Sequence, residues 1–126
     1  MVDNALKGLG IHILVDMDGC DPAILDDEAA IQSCLIEAAR AAGASIVSHC
    51  FHHFSPHGVT GVVVIAESHL AIHTWPEHGF AAVDLFSCGD KLDTVACVSY
   101  LKVALHSQHC STTEIRRGPG TAQANH

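Results

Sequence analysis

GVTGVVVIAESHLAIHTWPEHGFAAVDLF, residues 58–86, decides the fold. Val59 to Ala66 is the most apolar run of the chain and reads as a central strand. Leu70 to Trp75 alternates apolar and polar residues and stops at Pro76, which predicts a second strand. Gly79 then admits a third, over Phe80 to Phe86.

The flanks extend this pattern. Upstream, Ile11 to Asp16 is rich in β-branched residues and ends at the turn pair Asp18-Gly19, so it predicts a strand. Asp21-Pro22 opens a helical region in which Ile24, Ile31, Leu35, Ala38 and Ala42 recur at helical spacing. Asp26, Asp27 and Glu28 suit a first turn, and Gly43 closes the helix. Ala44 to Phe51 reads as a strand, and His52 to Gly58 as a loop. Downstream, Asp90 can cap a second helix that buries Leu92, Val95, Ala96, Tyr100, Val103 and Ala104. Ser111 to Ile115 makes a last strand, and the Gly/Pro/Ala-rich tail from Gly118 is expected to be loose. The sum is one α+β domain over residues 1–126, a two-layer sandwich with a mostly antiparallel sheet and two helices on one face.

Composition narrows the function. The chain of 126 residues buries roughly 60–70% of its unfolded surface, leaving little room for a deep pocket within one copy. Hydrophobic residues make up 48% and charged ones 16%, which fits a globular chain and a surface partly covered by a partner. The net charge of -8 argues against nucleic acid, which needs clustered Lys and Arg, and suits a cationic small molecule. No apolar run reaches the length of a membrane span. The N-terminus lacks a secretory pattern, so the six cysteines are expected to stay reduced in a cytoplasm.

Two kinds of chemistry compete for the polar residues. Eleven histidines, with His49, His52, His53 and His57 crowded together, suggest a metal, but no HExxH or close cysteine pair supports one. Ser68, between Glu67 and His69 at a strand junction, is a nucleophile or simply a turn residue; no GxSxG elbow surrounds it.

The longer pattern separates these readings. Glu67-Ser68-His69-Leu70, then Ile72-His73-Thr74-Trp75-Pro76-Glu77, then Asp84-Leu85-Phe86-Ser87-Cys88-Gly89 resembles the small prokaryotic S-adenosylmethionine decarboxylases. Phe51-His52-His53-Phe54 and Pro56-His57-Gly58-Val59 are similar too, and the resemblance runs from about Gly10 to about Arg117. It implies a proenzyme that cuts itself between Glu67 and Ser68, into residues 1–67 and 68–126. Ser68 would become a covalent pyruvoyl group that forms a Schiff base with the substrate amine. His73 would accept a proton during processing, Thr60 would supply a hydroxyl there, and Cys88 would donate a proton in turnover. Thr60 stands where many relatives carry Ser. Phe54, Leu70, Trp75 and Glu77 would contact the adenosyl substrate. No metal is implied. The resemblance further implies a homodimer with sites at its interface, and a product that donates aminopropyl groups for spermidine. A pyruvoyl enzyme acting on another amino acid, such as arginine or ornithine, and an uncleaved binding subunit are the alternatives.

Overall fold

The computed structural model describes residues 9–88 and 91–119. The elements run β1 (Gly10–Asp18), α1 (Pro22–Leu25), α2 (Glu28–Ala41), β2 (Ile46–His53), β3 (Val59–Ile65), β4 (Ser68–Trp75), β5 (Phe80–Ser87), α3 (Thr94–Ala104) and β6 (His109–Arg117). A short 3-10 turn at Pro76–His78 joins β4 to β5. The strands form one six-stranded sheet in the order β2-β3-β4-β5-β1-β6. Every neighbouring pair is antiparallel.

Alternation along the strands sorts the sheet into two faces. Val15 and Met17 of β1, Val59 and Val63 of β3, Leu70 and Ile72 of β4, and Val83 and Leu85 of β5 point into the core. Helix α2 covers them with Ile31, Leu35, Ala38 and Ala39, and α3 adds Cys97 and Leu101. Each fully buried aliphatic side chain contributes roughly 1.5–3 kcal/mol over leaving it in water. Gly61 is required by this packing, because a Cβ there would come within 1.9 Å of the Phe51 ring that lies across it.

The other face carries no helix. His12, Leu14, Val62, Val64, His69, His73 and Phe86 occupy the alternate positions there. Val64 and Ile115 remain 38% and 40% exposed. No helix among the described residues is long and apolar enough to cross a membrane.

The helices depart from the sequence expectation in two places. The region after Asp21 splits into α1 and α2, because two carboxylates cap in succession: Asp21 accepts from Ala23 N at 2.9 Å, and Asp27 from Ala30 N at 3.1 Å. Helix α3 begins later than expected, capped by Asp93, whose carboxylate accepts from Ala96 N at 2.9 Å. Val95 and Val103, assigned to its inner face, are instead 74% and 77% exposed. The proposed cap Asp90, and the tail from residue 120 onward, lie outside the described residues. Strand β2 also reaches His53, taking two residues from the expected loop.

Candidate active site

The chemistry-bearing residues fall into two groups at opposite ends of β4. The first surrounds the turn between β3 and β4. Ala66 and Glu67 form that turn, flanked by the pair Ile65 and Ser68. The turn is anchored to the start of β2: Ala66 N donates to Ser45 O at 2.8 Å, and Ser45 N donates to a Glu67 carboxylate oxygen at 3.2 Å. Cys88 N donates to the Glu67 carbonyl oxygen at 2.9 Å. That bond polarises the carbonyl next to Ser68. Ser68 itself has φ 148°, a region that L residues avoid at a cost on the order of 1–3 kcal/mol. Its hydroxyl lies 3.4 Å from His69 Nδ1. Ser68 is half-buried, and the Cys88 side chain is exposed.

The second group lines a cavity of about 380 Å³ at the far end of the strand, with Phe54, His57, Thr60, His73, Trp75 and Glu77 in its wall. Strands β3 and β4 set Thr60 opposite His73, and Thr60 Oγ1 sits 3.1 Å from His73 Nδ1. His57 Nε2 lies 3.1 Å from a Glu77 carboxylate oxygen. The His73 and Trp75 rings follow at 6.5 Å, and Trp75 leans on Phe80 at 5.5 Å. Beneath them the buried Thr74 hydroxyl accepts from Val59 N and donates to Leu25 O, both at 2.8 Å. A larger hollow of about 530 Å³ runs along the outer surface of α2, lined by Glu28, Gln32 and Arg40 among others. It contains none of the candidate catalytic or substrate-binding residues named from the sequence.

The structure thus gathers Phe54, Thr60, His73, Trp75 and Glu77 in one place and Glu67, Ser68 and Cys88 in another. His73 lies five residue steps along the strand from Ser68, about 17 Å at ~3.4 Å per residue. Leu70 joins neither group. It is 0% exposed in the core beneath the helices, because alternation turns it away from His73 and Trp75. That corrects its expected contact with the substrate.

Three side chains not singled out as site residues shape the cavity, His57 in its wall and His53 and Asp26 behind it. His53 Nε2 lies 2.8 Å from Asp26 Oδ1, and the same oxygen accepts from Gly58 N at 2.9 Å. His57 pairs with Glu77 as described. The two Asp26 contacts join positions 27 and 32 residues apart, so no local pattern announces them. Among the described residues no group of three or more His, Cys, Asp or Glu is arranged to hold a metal.

Comparison with known proteins identifies the family and the fold. The family model for S-adenosylmethionine decarboxylase matches residues 11–118. The S-adenosylmethionine decarboxylase proenzyme of Acetivibrio thermocellus is 50% identical over 113 residues, 90% of this chain and 91% of that protein. The proenzyme of the same name from Thermosipho melanesiensis is 52% identical over 113 residues, 90% of this chain and 87% of that protein. The crystal structure of the adenosylmethionine decarboxylase from Aquifex aeolicus superposes with a TM-score of 0.81 at 39% identity, covering 89% of this chain and 92% of that one. The Trypanosoma brucei AdoMetDC-delta26 monomer shares the fold, with a TM-score of 0.63 at 14% identity, over 81% of this chain and 44% of that one. By sequence and by fold, the chain belongs to the S-adenosylmethionine decarboxylase family.

Proposed function

We propose that this protein is a proenzyme that cuts itself between Glu67 and Ser68, and that the mature form decarboxylates S-adenosylmethionine with a pyruvoyl group made from Ser68. The observation that carries the reading is the state of the Glu67–Ser68 bond. The Glu67 carbonyl accepts from Cys88 N, and the adjacent serine is held at φ 148° with its hydroxyl one residue from that carbonyl carbon. The surroundings suit the group: Ser68 is half-buried, and the backbone of Cys88 is bonded to the residue just before it.

In processing, Ser68 Oγ attacks the Glu67 carbonyl carbon. The C–N bond breaks, the nitrogen takes the hydroxyl proton, and an ester joins the two pieces. Cys88 N–H stabilises negative charge on the Glu67 oxygen as the carbon becomes tetrahedral. Loss of the Ser68 α-proton to a base then expels the Glu67 carboxylate. Water converts the remaining unsaturated residue to the pyruvoyl group and releases ammonia. His73 is the base, and Thr60 holds its ring through Nδ1.

The pyruvoyl carbonyl supplies an electron sink that lets the substrate carboxylate leave as carbon dioxide. The chain's own residues do the rest. Cys88 Sγ returns a proton to the former α-carbon. Phe54 and Trp75 offer ring faces to the adenine and the sulfonium. Glu77 accepts from the ribose hydroxyls.

Because Ser68 and His73 lie at opposite ends of β4, one copy does not complete this site. Two copies packed through their helix-free sheet faces, with β4 strands running opposite ways, bring Ser68 and Cys88 of one to Thr60 and His73 of the other. Exposed Val64 and Ile115 give that face its apolar surface. On this reading the working enzyme is a homodimer of cleaved chains.

Intact mass under denaturing conditions tests the reading. Two chains, residues 1–67 and 68–126, the second beginning with pyruvoyl, are expected, together with carbon dioxide release from S-adenosylmethionine. A single uncut chain after prolonged incubation, or cleaved protein that releases none, overturns it.

A further inference from the structure

We propose that Asp26 is a positioning residue for substrate binding: its carboxylate pins the loop that forms one wall of the cavity. The loop runs from His53, the last residue of β2, to Gly58, just before β3. Phe54 and His57 project from it into the wall. Phe54 N donates to Gly58 O at 2.7 Å, which closes the loop on itself. One carboxylate oxygen of Asp26 then holds both of its ends, accepting from Gly58 N at 2.9 Å and pairing with His53 Nε2 at 2.8 Å.

The anchor is itself fixed. Asp26 N donates to Pro22 O at 3.1 Å, and Leu25 O accepts from the Thr74 hydroxyl at 2.8 Å, tying α1 to β4. Gly58 suits the other end: it has φ +110°, and a Cβ there would press to 3.2 Å on Thr74 O. Asp26 does not line the cavity. It acts through the loop, setting where the Phe54 ring stands relative to Trp75 and where His57 meets Glu77.

The inference rests on reading that cavity as the substrate site. The Glu67–Ser68 bond lies at the other end of β4, so Asp26 is not needed for the shape of the turn that is cut.

The test compares Asp26→Ala with Asp26→Asn in the full-length, processed protein. Asp26→Ala is expected to raise KM for S-adenosylmethionine about tenfold, the scale of one hydrogen bond to a charged group, with kcat and the extent of cleavage within about twofold of the parent. Asp26→Asn keeps an oxygen for Gly58 N–H and is expected to restore KM to within about threefold of the parent. Amide hydrogen exchange reads the clamp directly: Asp26→Ala should speed exchange at Phe54 and Gly58 about tenfold and leave Val63 and Leu70 unchanged. Should Asp26→Ala not fold, His53→Ala removes one of the two bonds and is expected to speed exchange at the same two amides. Unchanged exchange at those amides overturns the clamp, and unchanged KM in folded Asp26→Ala overturns its role in binding. If the parent protein does not act on S-adenosylmethionine, the reading of the cavity falls, and the exchange measurement still decides the clamp.

Discussion

Thr60 Oγ1 lies 3.1 Å from His73 Nδ1, across the β3–β4 pairing. The hydroxyl occupies one ring nitrogen, so proton exchange with a reacting group falls to Nε2. His73→Ala is expected to slow cleavage about 100-fold or more, the usual range for losing a positioned base. Thr60→Ser should cleave near the parent rate, whereas Thr60→Val should slow it. Time courses of chain separation under denaturing conditions measure all three. Equal rates for Thr60→Ser and Thr60→Val would detach the hydroxyl from the reaction.

Ser68→Ala should give one uncut chain without decarboxylase activity. Cys88→Ala should still cut, because its backbone N–H to Glu67 O is retained, yet lose turnover by about 100-fold. Mass and carbon dioxide release separate the two effects. Normal turnover in Cys88→Ala would assign the returning proton to another group.

A shared site makes a complementation experiment decisive. Alone, Ser68→Ala chains are expected to stay uncut and His73→Ala chains to be cut only slowly. Coexpressed, they should form mixed dimers in which the His73→Ala chain alone is cut, by the intact His73 of its neighbour. No faster cutting in verified mixed dimers would return the whole site to a single chain.

The cysteines should react in a fixed order. Cys50 and Cys88 are exposed, while burial pushes the Cys97 thiol up to about 12 and raises Cys20, Cys34 and Cys110 as well. Because the thiolate is the reactive form, brief alkylation of native protein should label Cys50 and Cys88 and spare Cys97. Peptide mapping checks this.

Asp26 gives the protein an acid limb. Its carboxyl is held below the ordinary 3.8, first by Gly58 N–H and then by His53. A depressed folded value means stabilisation that is complete above the ordinary value and lost as pH falls through the depressed one. The stability gap between the parent and Asp26→Asn should therefore shrink as denaturation is measured at pH values progressively below about 4. A gap that stays constant would mean that Asp26 is not held in its charged form.

Much of the fold was legible because the strands announce themselves twice, by β-branched content and by alternation. Val59 to Ile65 shows the β-branched content, and Leu70 to Trp75 the alternation. The helix starts were harder, since Asp21, Asp26, Asp27, Asp90 and Asp93 all suit a cap and the chain alone does not rank them. The family pattern named Thr60, His73, Trp75 and Glu77, and the structure does set these around one cavity. Leu70 was misplaced although its parity held the answer: three residues before His73 on a strand is the opposite face. The bonds of Asp26 to His53 and Gly58 left no trace in sequence, because they arise only when α1 folds against the end of β2.

The separation of Ser68 from His73 along β4 has a further meaning for the life of the protein. Under the proposed assembly a newly made chain holds a nucleophile without its base, and remains chemically silent until it meets a folded copy of itself. The cut between Glu67 and Ser68 then serves as a permanent record that correct pairing took place, and misfolded or solitary chains never acquire a reactive ketone.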